Sequence, residues 1–352
     1  MQTISLVNAL PAITHPTIID GTSEPGYAGS PVVQIDGVSA GSVDRLNIQA
    51  DGSTIKGLSI VDFSGTGIVV NGASLAVSNS TVSGNNASAF GGGIYVGSGA
   101  TLTVSNSTVV NNSAGGDGGG VYSDGDVTLI DSTLAGNSTS GGSGGGIFSA
   151  GGTLALANAT LSGNSAFDSG GAIEADNDTL TLTNTTLAGN SAVNGGAIDA
   201  DNGTLLLYDS TLSGNSASIA GGGIYSDDAT TLTDNIVAGD AAPDGADFFT
   251  SDSASLTFTG GQYCRLQPLG LRNRFQQRQL HADRRRQCGR ARDRVRQCRQ
   301  QSHDQRAVRP PRQQRWADRD HPDRRTRHCP RYRQRRRPAA RYFRSERQQQ
   351  HH

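Results

Sequence analysis

Across most of this chain, carboxylates are the only charged side chains available for chemistry. Residues 72–260 contain no Lys, Arg or His, while acids recur in local pairs such as Glu174/Asp176 and Asp199/Asp201. Two carboxylates suffice to hydrolyse a neutral glycoside, one as acid and the other as base or nucleophile. Cleaving an acidic polysaccharide asks for a cation beside the sugar carboxylate, and this stretch has none. The plainer reading makes these acids turn residues on a solvated surface. No catalytic residue is assigned, and enzyme activity stays an open alternative.

The same carboxylates have a second use, as ligands for a hard cation. Asp176, Asp201 and Asp227 each stand three residues after the apolar position of a recurring Gly-rich block. Asp124 holds that place earlier, Ala150 breaks the column, and Asp178, Asn202 and Asp228 are neighbours. Stacked roughly 5 Å apart, such carboxylates repel by about 1 kcal/mol per pair in water. Ca²⁺ relieves that repulsion and tolerates irregular oxygen ligands. A weak calcium site at Asp176, Asp201 and Asp227 is therefore expected, against the alternative that these side chains splay into solvent. No other cofactor is expected. Residues 1–260 lack Cys, and Cys264, Cys288, Cys298 and Cys329 have no zinc-ligand spacing.

Aromatic side chains form a third set. Tyr95, Tyr122, Phe148 and Tyr225 each directly follow the apolar residue of the Gly-rich block, and Glu174 and Asp199 replace them in two repeats. Strand alternation turns them away from the interior. Such a stripe suits contact with carbohydrate or with a host or cell-surface protein, or else it only ties neighbouring strands together.

All three sets depend on one repeat. A Gly-Gly-(Gly/Ala)-apolar block places Ile94, Val121, Ile147, Ile173, Ile198 and Ile224 at spacings of 27, 26, 26, 25 and 26. A Thr-apolar-x-x-Asn block recurs in phase, with Asn85, Asn112, Asn137, Asn164, Asn190 and Asn215, and Asp240 continues that column. A short alternating run, such as Leu180 and Leu182, follows each Gly-rich block. Three short strands per repeat, separated by Gly, Asn, Asp and Ser, predict one coil of a three-sided solenoid. Coils stacked about 4.8 Å apart bring equivalent residues into ladders. The Asn column then satisfies turn groups through a structural ladder rather than doing chemistry. Residues 1–71 repeat less regularly and read as early coils and a cap-like region; residues 72–260 read as the regular repeats. Together they predict about ten coils and a rod of roughly 50 Å.

At these blocks the sequence resembles bacterial right-handed parallel β-helix surface proteins of the pectin-lyase-like superfamily. Gly170-Gly171-Ala172-Ile173, with Leu161-Ser162-Gly163-Asn164 and Leu212-Ser213-Gly214-Asn215, looks like the GGAI and FxxN repeats of polymorphic outer-membrane proteins. Leu or Val stands where that family has Phe, so the likeness is to the repeat type. The run from Ile18 to Gly29 looks like a recurrent early region of large secreted β-helix proteins. The resemblance covers residues 1–260 and implies an all-β, right-handed parallel β-helix at the bacterial surface or outside the cell. No signal peptide is visible, so Met1 is expected to be an internal or misassigned start. No run approaches about 18 apolar residues, which excludes a transmembrane helix.

Residues 261–352 differ in kind. The first 260 residues hold two cations, Arg45 and Lys56, against 24 acids; the rest holds 28 Arg, no Lys and seven acids. A basic arm of this sort would bind nucleic acid through phosphate contacts from Arg284–Arg286 and Arg335–Arg337. The absence of Lys and Ile, and 16 Gln against three, favour a coding frame shifted by one base. Read one base later, with suitable codons, Arg312 to His321 can be decoded as Ala-Asn-Asn-Gly-Gly-Pro-Thr-Glu-Thr-Ile, text of the solenoid kind. With so few apolar residues the tail is expected to be disordered, and no nucleic acid partner is expected unless the tail is genuine. The functional expectation is a non-enzymatic stalk, adhesin-like passenger or structural module. The alternative is a polysaccharide-active or carbohydrate-binding protein of the same fold.

Overall fold

A computed structural model of the chain describes residues 1–8, 10–41, 46–250, 254–261 and 263–264. These residues form a right-handed parallel β-solenoid, without a helix among them. Three parallel sheets run the length of the body, with eleven, nine and ten strands. The chain visits them in turn. The first face takes the Thr-apolar segments, such as Thr133–Ala135, Thr160–Ser162 and Thr186–Ala188. The second takes the segments after the Gly-rich block, such as Ile147–Ala150, Ile173–Asp176 and Ile198–Asp201. The third takes the alternating runs, such as Thr153–Ala157 and Thr179–Thr183. Short extra strands, Ser113–Ala114 and Ser216–Ala220 among them, pair at the corner between the first and second faces.

Register follows the repeat. Ile94, Val121, Ile147, Ile173, Ile198, Ile224 and Phe248 are consecutive partners. Ile147, Ile173 and Ile198 are 0 % exposed, as are Leu154 and Leu182 on the third face and Leu161 and Leu187 on the first. A strand alternates its side chains across the sheet, so one apolar residue in two suffices to fill the narrow interior. Residues 1–71 enter the same ladders: Gln2–Ser5 pairs with Val33–Asp36, and Ile18–Asp20 with Ser53–Lys56.

The corners are built by small polar residues and glycine. Between the third and first faces, Asn79, Asn106, Asp131, Asn158, Asn184, Asp209 and Asp234 all adopt φ between 47° and 56°. Asn and Asp tolerate this left-handed conformation better than other residues with a Cβ. At the entry to the second face, Gly170 has φ of 64°, and a Cβ there would lie 2.5 Å from the Ile173 carbonyl oxygen. No other residue fits that turn.

The Asn column lies inside the opposite corner. Asn112 Nδ2 donates to Asn137 Oδ1 at 3.0 Å, Asn137 Nδ2 to Asn164 Oδ1 at 3.0 Å, and Asn164 Nδ2 to Asn190 Oδ1 at 3.0 Å. Each Oδ1 also accepts from the backbone N–H one coil before, and each Nδ2 also donates to a backbone carbonyl, as Asn137 does to Val109. Asn85 and Asn190 continue the pattern to Asn215, whose Nδ2 donates to Asp240 Oδ1 at 2.8 Å. A second ladder, absent from the repeat as read above, links Ser80, Ser107 and Ser132 through backbone N–H donors and hydroxyl acceptors.

The first face reaches Tyr263–Cys264, whose backbone pairs with Ile236–Val237. The remainder of the Arg-rich tail, with its expected disorder and shifted frame, lies outside the described residues. Among the described residues no helix is long and apolar enough to cross a membrane.

Candidate functional site

The second face carries one outward-facing column that holds the four aromatics singled out above and the acids Glu174 and Asp199. In register it reads Val69, Tyr95, Tyr122, Phe148, Glu174, Asp199, Tyr225 and Phe249. Each of these residues follows the apolar interior position and therefore points away from the core.

In its first half the column is a stack of rings. Tyr95 and Tyr122 lie 5.2 Å apart between centroids with planes 4° from parallel. Tyr122 and Phe148 lie 5.3 Å apart at 7°. Phe90, from the corner before the face, leans on Tyr122 at 5.0 Å and 33°. The rings are half-buried, and Phe90 is exposed. Tyr122 Oη donates to Asp124 Oδ1 at 2.9 Å. Burial first, then this hydrogen bond and the nearby Asp124 charge, pushes the Tyr122 hydroxyl above its ordinary range. An open groove of about 250 Å³ adjoins the stack, lined by Thr66, Val69, Asn71, Phe90 and Tyr95. Past the acids, Tyr225 stacks on Phe249 at 5.0 Å and 15°. All four sequence-assigned aromatics thus share one column, but only Tyr95, Tyr122 and Phe148 form a continuous stack.

The two acids between the stacks do not behave as surface turn residues. Outward direction predicts solvent exposure for Glu174 and Asp199; they are 7 % and 2 % exposed. Outward here does not mean exposed. Phe148 and Tyr225 flank the pair in register. Ser169 and Asp168, from the corner before the face, lie near enough to act on the Asp199 carboxyl, Ser169 lowering it and Asp168 raising it. Glu174 Oε2, Asp199 Oδ1 and Asp201 Oδ1 are buried atoms without a hydrogen-bond partner. One carboxylate oxygen from each of Glu174, Asp199 and Asp201 lies within 4.8 Å of the others. Burial, then the Asp199 and Asp201 charges, raises the Glu174 carboxyl well above the usual range. Burial, then Asp201, raises Asp199 to about 8. Burial, then Asp227, also raises Asp201.

The expected calcium column is arranged differently. Asp176 and Asp201 are register partners, and Asp227 follows one coil later. Two rungs separate Asp176 from Asp227, about 9.6 Å along the axis. That is too far for one ion to bridge all three. Asp176 Oδ1 accepts from Asn177 Nδ2 at 2.7 Å, and Asp227 is exposed. Of the three, only Asp201 belongs to the close group. The neighbouring Asp178 and Asp228 accept from the backbone N–H groups of Gly152 and Gly203 and so serve the turns. Lys56, the only lysine, pairs with Asp20 at 2.9 Å, far down the body in the early coils.

The sequence contains the signal for the acidic pair, since two carboxylates replace two rings in consecutive repeats. Their burial is not part of that signal, because outward direction in the repeat predicts exposure.

Residues 43–134 match the family described as right handed beta helix region, and residues 209–227 match the Chlamydia polymorphic membrane protein repeat. The second match spans one coil, from Asp209 through Asn215 and Ile224 to Asp227. No curated protein and no solved structure matches the chain. The body is thus a parallel β-solenoid, similar over residues 43–134 to the right handed beta helix region and over residues 209–227 to the polymorphic membrane protein repeat.

Proposed function

We propose that this chain is a surface-exposed, non-enzymatic β-solenoid of a bacterial outer-membrane or secreted protein, acting as a stalk or adhesin-like passenger segment. One observation carries the reading: the body's clustered carboxylates are buried, while its outward chemistry is a half-exposed row of stacked rings. Because the stack covers the ring faces, it offers its half-exposed edges for apolar contact with protein side chains or with the C–H groups of a sugar. The repeat match at 209–227 supports a surface location by analogy with the chlamydial proteins. Calcium is the one cofactor the reading admits, and nucleic acid is a partner only if the Arg-rich tail is genuine.

A second reading, glycoside hydrolysis, rests on the adjacency of two carboxyls, Glu174 and Asp199, the residue types such chemistry uses. That both are raised, where the pair needs one ionised, speaks against it. The burial of both groups opposes it, because a sugar must touch them. A panel of neutral and acidic glycans, assayed for binding and for cleavage with the full chain, separates the readings. Binding without turnover, weakened in Tyr122→Ala, is the expected result. Reproducible turnover abolished in Glu174→Gln would replace the first reading by the second.

A further inference from the structure

The acidic group on the second face poses a physical problem that the solenoid itself leaves unsolved. Three carboxylates converge within 4.8 Å, two of them more than nine-tenths buried. Residues 72–261 hold no Lys, Arg or His to neutralise them. An oxygen of each is buried without a hydrogen-bond donor. Burying a charge without a partner is among the most costly arrangements in a protein, and three together add mutual repulsion. Stability alone does not explain two acids where the neighbouring coils place rings at the same register.

We propose that Glu174, Asp199 and Asp201 bind a hard divalent cation, with Ca²⁺ the best fit. The unpartnered oxygens are the donor type such cations take. Ca–O distances of about 2.3–2.6 Å put ligand oxygens up to roughly 5 Å apart, the scale of this group. Three carboxylates against two positive charges leave a net −1, far less unfavourable than −3 inside the protein. The site spans two adjacent coils, Glu174 on one and Asp199 and Asp201 on the next. A bound ion therefore clamps one coil to the next where the ring stack is interrupted. The raised carboxyl values describe the group without an ion; a cation reverses that tendency by favouring the charged form. The proposal does not depend on the role of the ring stack and stands whether or not the protein binds glycans.

The test uses the full chain, stripped with a chelator and then given Ca²⁺, Mg²⁺, or NaCl at matched ionic strength. Ca²⁺ at about a hundredfold excess over its Kd is expected to raise the melting temperature by on the order of 5 °C. NaCl is expected to give no comparable rise. Glu174→Gln and Asp199→Asn preserve shape and remove repulsion, so both variants are expected to fold and to lose the Ca²⁺ shift. Asp227→Asn is expected to keep it. A second readout on the unmodified protein uses Tb³⁺ as a Ca²⁺ substitute. Tyr225, in register with Asp199, is expected to sensitise its emission, and Ca²⁺ to quench that emission by displacement. A Ca²⁺ shift matched by NaCl, or one that survives Glu174→Gln, overturns the proposal. So does a shift abolished by Asp227→Asn, or Tb³⁺ emission that Ca²⁺ does not compete away.

Discussion

Two stretches of one column, Tyr95–Tyr122–Phe148 and Glu174–Asp199, share backbone, register and direction, yet one is a partly exposed ring stack and the other a buried pair of acids. The repeat determines where a side chain starts, not what surrounds its far end. The surroundings come from neighbours along the column and from the corner between the first and second faces. Rings stacked about 5 Å apart satisfy one another by contact, because dispersion is short-ranged and needs no third party. Carboxylates at the same spacing repel, and they need something the solenoid does not provide. The same ladder geometry therefore completes one stretch and leaves the other open to a ligand.

The largest expected effect sharpens the contrast between the two sides of a strand. Ile173 is 0 % exposed and precedes Glu174. Ile173→Asp places a carboxylate inside the core with no cation within reach. We expect a loss of about 4 kcal/mol or more in chemical denaturation. A loss below 1 kcal/mol would mean that the interior and outward faces have been exchanged.

A polar ladder that is fully satisfied offers a second contrast with the acids. Asn137 Oδ1 accepts from the Asn112 backbone and side chain, while its Nδ2 donates to Val109 and Asn164. Asn137→Ala removes all four bonds and leaves the Asn112 backbone N–H without its acceptor in a buried corner, while Asn112 Nδ2 keeps Val82 and Asn164 Oδ1 keeps the backbone N–H of residue 137. A cost of about 3 kcal/mol is expected from the same denaturation curves.

At the end of that ladder, Asp240 stands where the preceding coils have Asn. Its Oδ1 accepts from Asn215, but Oδ2 is buried without a donor. In earlier coils the corresponding Nδ2 donates to a backbone carbonyl, as Asn215 does to Leu187. Burial, opposed in part by the Asn215 bonds, raises the Asp240 carboxyl to about 6. A carboxyl raised on folding contributes stability that is present below its unfolded value near 4 and lost as pH climbs through 6. Asp240→Asn is therefore expected to match the parent protein at pH 4 and exceed it at pH 7.5. The gain should be on the order of 2 kcal/mol in melts across that range. Equal pH profiles for the two proteins would show that Asp240 is not strained.

The smallest effect is expected in the ring stack. Tyr122→Phe keeps both stacking contacts and removes only the bond to Asp124. Its stability should change by less than about 1 kcal/mol. A larger loss would tie the stack to its hydroxyl rather than to its rings.

The solenoid was legible because its determinants are periodic. The apolar column from Ile94 to Ile224 and the Asn column from Asn85 to Asn215 recur at nearly constant spacing, and parallel stacking turns constant spacing directly into contact. The left-handed column from Asn79 to Asp234 was legible in principle, as a small polar residue two positions before each Thr of the first face. It passed unnoticed because Asn, Asp and Ser are common throughout the repeats. The group of Glu174, Asp199 and Asp201 was only half legible. Their adjacency follows from register, but their burial does not, since the same outward column leaves Tyr122 and Phe148 half-exposed. The expected trio of Asp176, Asp201 and Asp227 followed one column up the axis, whereas the observed trio combines two columns on adjacent coils.

The Asn-to-Asn side-chain links described above join residues 25 to 27 positions apart. Along the regular repeats the chain segment that must close to make each contact is therefore nearly constant in length, unlike the early coils, where Ile18 pairs with Thr54 and Leu46 with Ile68. Closure entropy depends on that length, so adding a regular coil costs no more for the last than for the first. A coil already formed offers open strand edges on which a neighbouring coil can pair. Gain or loss of whole coils leaves every other contact untouched, whereas losing a single strand residue turns the side chains beyond it in that strand to the opposite face.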